Sequence, residues 1–140
     1  MPYVSFDIFL QRFKAGDGVD GGAEEALDIL RPYLVDTPHE GFASVRTIDG
    51  EAEVYGLDTG SLMITEVSGE AIWQLIVDMA EAADYAILAF GRPVCLVDAS
   101  LKEQLPELLS DPVVVVASGR DLLDVVQSRS PAGEPVTFGQ

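Results

Sequence analysis

Glu51, Glu53 and Tyr55 occupy alternate positions of the stretch TIDGEAEVYG, residues 47–56, with Ala52 and Val54 between them. On an extended strand, residues two apart share a face, so two carboxylates and a phenol project together. Paired carboxylates can divide acid and base roles or attract a cation. Acid–base work requires a pocket that shifts a carboxyl pKa, and acids on a solvated hairpin argue against one. Attraction of a cationic group is the chemistry this spacing suits.

Other reactive residues are few. His39, the only histidine, lies in DTPHEG between a helix and a strand, where exposure is expected. Cys95, the only cysteine, lies in the apolar run VCLV, where a thiol packs as a small apolar group and is inert. One His and one Cys are too few for a transition-metal site, and no cofactor is expected. The loop GDGVDGG offers Asp17 and Asp20, but it lacks the ligand spacing of a calcium loop and the Lys-Ser/Thr of a phosphate loop. It reads as a connection. Two segments, VSGEAIWQLI and ASGRDLLDVV, each place Ser-Gly before a helical pattern. Such helix starts can hold an anion, although ordinary capping by Ser68 and Ser118 accounts for both.

Charge is the dominant compositional feature. Twenty-four acids against eight bases give a net −16 over 140 residues. That balance excludes nonspecific binding to nucleic acid or to anionic membrane surfaces. The bias is also uneven. From Thr47 to Gly91 there are nine acids and no Lys or Arg. Solubility or salt adaptation is one reading of this run, and a surface that meets a basic protein partner is the other. On the second reading the contact candidates are Glu51, Glu53, Tyr55, Glu66, Asp78 and Glu81.

The elements that position these residues follow from periodicity. Val4, Phe6, Ile8 and Leu10 alternate as in a strand. A helix is expected from about Ala23, with Glu24 and Glu25 in its first turn, Leu27, Leu30 and Leu34 on one face, and Pro32 limiting it. FASVRTI and EAEVYGL flank Asp49-Gly50, which suits a two-residue type I′ hairpin. That turn would set Ile48 opposite Glu51, Arg46 opposite Glu53 and Val45 opposite Val54. SLMITEV follows after the turn LDTG and completes a three-stranded meander. Residues 69–83 read as an amphipathic helix capped by Ser68, with Ile72, Leu75, Ile76, Met79 and Ala83 buried and Trp73 and Val77 at the border. YAILAF and VCLV are short strands around the turn GRP. Ser100 and Glu103 have capping-box spacing for a short helix that Pro106 interrupts. VVVVA is expected as a buried strand, and Ser118 begins a last helix.

The meander ahead of strands alternating with helices points to an α+β fold, a mostly antiparallel sheet with helices mainly on one face. Residues 1–128 form one domain and 129–140 a flexible tail. With no signal-peptide pattern, no long apolar run and no second cysteine, the chain reads as cytoplasmic.

The segments SFDIFLQRFKAGDG, DGEAEVYGL and SLMITEVSGEAIWQLIVDMAEAADYAI resemble small uncharacterised actinobacterial proteins. In character these are similar to the immunity proteins of bacterial polymorphic-toxin systems. The resemblance implies a noncatalytic, cytoplasmic inhibitor that covers the active site of a toxin domain, with a basic nuclease toxin as the fitting partner. The alternatives are a structural or regulatory subunit that self-associates as a homo-oligomer and, third, a small enzyme.

Overall fold

The computed structural model describes residues 7–110 and 112–127. Eight strands form the sheet: β1 (Ile8–Lys14), β2 (Asp17–Val19), β3 (Ala43–Arg46), β4 (Glu51–Tyr55), β5 (Leu62–Thr65), β6 (Ala86–Ala89), β7 (Val94–Leu96) and β8 (Val113–Val115). The spatial order is β3-β4-β5-β1-β6-β7-β8, with β2 folded back on β1. Every pairing is antiparallel except β7 with β8. Three α-helices, α1 (Ala23–Leu30), α2 (Ala71–Ala83) and α3 (Gly119–Gln127), join short 3-10 turns among the described residues. This is the α+β architecture expected from the sequence.

The period-two pattern decides what lies under the helices. Ile8 and Leu10, Val45, Ala52 and Val54, Leu62 and Ile64, Ile87 and Cys95 all point to one face and are buried with α2 side chains. Each aliphatic side chain fully removed from water stabilises the fold by about 1.5–3 kcal/mol. Ile72, Leu75, Ile76 and Met79 of α2 meet Val45, Ala52, Val54 and Ile64 there. On the opposite face, the segment Ala99–Leu109 brings Leu101, Leu105 and Leu109 over Ala86, Val94 and Leu96. That second cover lies over the β6–β8 side of the sheet and reaches the end of β1, where Phe13 packs against it.

Several local expectations need correcting. Asp49-Gly50 is not a two-residue turn, because neither residue takes the positive φ that type I′ needs. Instead Thr47 N–H donates to the Gly50 carbonyl at 2.8 Å, so Thr47–Gly50 form a four-residue loop. Arg46 therefore pairs with Glu51, Val45 with Ala52 and Ser44 with Glu53. The register moves by two residues, an even step that leaves each side chain on its expected face. The positive-φ pair occurs at Ala15-Gly16, which turns β1 into β2, so Asp17–Val19 of GDGVDGG, read as a connection, is a strand.

Ser68 does not cap α2. The helix begins at Ala71, and the capping carboxylate comes from Asp49. The Ser68 hydroxyl accepts instead from the Glu51 N–H at 3.0 Å. Gly50 lies so close to this strand exit that a Cβ there would strike the Ser68 carbonyl. Ser118 caps α3 as expected, accepting from Asp121 N–H at 3.2 Å. In the short turn Ala99–Gln104 the cap is Asp98, not Ser100; its carboxylate accepts from the Ser100 N–H at 2.9 Å and the Ser100 hydroxyl at 2.8 Å.

Trp73 and Val77 are buried rather than bordering, because α2 packs against both α1 and α3 and its covered arc is wide. The first helix buries Ala26 and Leu30, while Leu27 is half-buried. The strand at VVVVA lies at the sheet edge, so Val115 is exposed and Val116 is the buried member. The expected strand positions Val4 and Phe6, and the tail 129–140, lie outside the described residues.

Candidate functional site

β4 positions the central residues. Ala52 and Val54 are buried beneath α2, so Glu51, Glu53 and Tyr55 project from the other face. Tyr55 donates to Glu53 Oε1 at 3.1 Å, and the Phe42 ring lies 5.0 Å from the Tyr55 ring at a 51° tilt. The hydrogen bond to Glu53 raises the Tyr55 pKa most, followed by burial and the negative charges of Glu53 and Glu66. Glu66 follows β5, whose Thr65 is opposite Glu53. Glu51, Glu53 and Glu66 line one shallow groove of about 230 Å³ with Arg46, Ser44 and Val35. Arg46 contacts Glu51 at 3.7 Å across the β3–β4 ladder, an exposed pair of the kind worth about 0.2–1 kcal/mol.

Four of the six candidates thus come together, and two do not. Asp78 and Glu81 sit on α2, in the layer that covers the opposite face of the sheet. Asp78 accepts from Gln74 Nε2 at 3.0 Å. Glu81 borders a separate groove with Asp84 and Asp98. One partner surface cannot meet the hairpin acids and the helix acids at once without wrapping the domain.

The remaining reactive groups are held apart or shut in. Cys95 is 2% exposed, and burial pushes its thiol up to about 11. His39 is exposed beside β3, and its ring lies 3.7 Å from Glu40. Five strand spacings separate β3 from β7, about 24 Å, so these two residues form no dyad. Both Ser-Gly helix starts are filled by the protein's own groups. Asp49 occupies the start of α2; Ser118 and the Gln74 side chain, which accepts from Gly119 N–H at 2.8 Å, occupy that of α3. Among the described residues, no group of three or more His, Cys, Asp or Glu is arranged to hold a metal ion. No helix among them is long and apolar enough to cross a membrane.

Sequence reasoning missed the neighbours of the acids. Tyr55 is directly opposite Met63, Met63 opposite Phe9, and Phe9 opposite Leu88. These four side chains form one row across β4, β5, β1 and β6 on the face that α2 leaves open. Phe9 is 41% exposed, and it stands with Gln11 in the outward phase of β1. An aromatic in the polar phase of an alternating strand was the available signal.

Comparison with known proteins finds no matching family, no matching curated sequence and no matching solved structure. The fold and surface define a single α+β domain with an acidic, aromatic-containing sheet face.

Proposed function

We propose that the protein is a noncatalytic binding module that engages a basic protein partner through the outward face of β4. The gathering of Glu51, Glu53 and Glu66 in one groove, with Tyr55 bonded to Glu53 at its side and Arg46 as the only cation lining it, carries this reading. A partner with a phosphate-binding cleft presents cations to such a surface. Complementary fields speed encounter and reject acidic competitors. A nuclease-like toxin domain is the partner this chemistry fits, with the protein acting in the cytoplasm as its immunity protein. The burial of Cys95 and its distance from His39 favour a binding role over a thiol-based enzyme.

Capture from native lysate at low and high salt tests the proposal. A basic protein retained at low salt and shed at high salt supports it. Retention of neutral or acidic proteins alone, with no salt dependence, rejects it. A second reading, self-association as a structural or regulatory subunit, draws on the open apolar row through Met63 and Phe9. A dimer insensitive to salt in sedimentation would favour that reading.

A further inference from the structure

The geometry points to the row Tyr55–Met63–Phe9–Leu88 as the seat of an amphipathic helix supplied by the partner, with its Lys/Arg flank lying along Glu51, Glu53 and Glu66. This inference rests on the reading of the protein as a binder of basic partners and specifies where and how the contact is made.

The row crosses four adjacent strands in direct register. Three of its members, Phe9, Met63 and Leu88, line an open groove of about 430 Å³ together with Phe13, and Tyr55 stands beyond its β5 side. A sheet face is ordinarily covered by a packed layer. Here α2 and its neighbours cover one face, and Ala99–Leu109 covers the β6–β8 side of the other as far as Phe13 at the end of β1. Leu88 packs against that second cluster and Tyr55 against Phe42, and between these two ends Phe9 and Met63 have no layer over them among the described residues. A helix is the element that fits an open strip of sheet, and its apolar stripe would replace the missing layer.

Charge decides what kind of helix. Glu53 neighbours Tyr55 at one end of the row, with Glu51 and Glu66 in the adjoining groove. A second copy of this chain would bring a further net charge of −16 onto a face that is itself acidic at its β4 end. Like charges so placed oppose association. A cationic helix meets no such repulsion. Apolar contact at the centre then governs dissociation, while the acids at the rim govern encounter.

The test uses the full-length protein and two synthetic peptides of equal length and charge, one of Leu and Lys in helical amphipathic order, the other of Ser and Lys. The Leu/Lys peptide should bind at least about tenfold more tightly, with amide shifts centred on Tyr55, Met63, Phe9 and Leu88. Met63→Gln should raise its dissociation rate, whereas Glu51→Gln with Glu53→Gln should mainly lower its association rate. Equal affinity for the Ser/Lys peptide at the hairpin acids would overturn the apolar seat and leave the charge-driven reading standing. Binding of neither peptide at low salt would overturn both. Shifts centred on Asp78 and Glu81 would place the contact on the wrong layer and reject the row. A dimer of the free protein abolished by Met63→Gln would assign the row to a second copy. Nuclear Overhauser contacts from Phe9 to residues 128–140 in the free protein would assign it to the chain's own end. Either result overturns the proposal.

Discussion

Asp49 caps a helix that starts twenty-two residues later in the chain: its Oδ2 accepts from the Glu70 N–H at 2.8 Å, and its Oδ1 accepts from the Ala71 N–H at 3.2 Å. The first N–H groups of a helix have no intrahelical partner, and here a hairpin loop supplies the acceptor. The contact ties the β3–β4 loop to α2, so the acids of β4 are held by the same helix that buries Ala52 and Val54. These backbone hydrogen bonds hold the Asp49 carboxyl below its usual pKa.

Asp49→Ala should therefore lower the thermal midpoint at neutral pH. Because the folded pKa is depressed, the stabilisation is present above the unfolded value of about 3.9 and is lost as pH falls through the folded value. The difference in midpoint between wild type and Asp49→Ala should shrink below about pH 4. Melting curves for both proteins at pH 7 and in acid measure it. A difference that stays constant across that range would show that the carboxylate is not the cap.

Tyr85 gives a prediction of the opposite sign. Its side chain is fully buried, its hydroxyl has no hydrogen-bond partner among the described residues, and burial pushes its pKa up to about 12. An unsatisfied buried hydroxyl costs about 1–3 kcal/mol. Tyr85→Phe should leave stability to urea unchanged or raise it by about 1 kcal/mol. A clear loss would show that the hydroxyl makes a bond.

Ile76 is fully buried where α2 meets the sheet. Ile76→Ala should cost about 2–5 kcal/mol through lost transfer energy and a residual cavity. Urea unfolding measures it. A cost below about 1 kcal/mol would mean that α2 is loosely packed there.

Cys95 should resist thiol reagents in the native state, since only the thiolate reacts and burial holds the proton on sulfur. Labelling with and without denaturant measures this. Labelling of the native protein as fast as the denatured one would contradict it.

The parts of the fold legible in the sequence are those set by local periodicity. The alternation through β4 set Ala52 and Val54 on the face away from Glu51, Glu53 and Tyr55, and the helical stripe of α2 marked Ile72, Leu75, Ile76 and Met79 as its buried side. What escaped depends on long-range partners. Asp49 read as half of a turn signal because the Glu70 and Ala71 N–H groups that it binds are distant in the chain. Trp73 and Val77 read as border positions because α3 was not yet placed beside α2. The register of β3 on β4 depended on the loop that Asp49 holds in place. Phe9, Met63 and Leu88 became one row only when β1 was placed between β5 and β6.

The central claim is that the outward face of β4, and not the acidic face of α2, meets a basic partner. Stopped-flow association with the basic protein captured from lysate, at low salt, tests this with two charge-reversal pairs. Glu51→Lys with Glu53→Lys should slow association by about tenfold or more, while Asp78→Lys with Glu81→Lys changes it far less. Equal slowing by both pairs, or slowing by the α2 pair alone, would contradict the account.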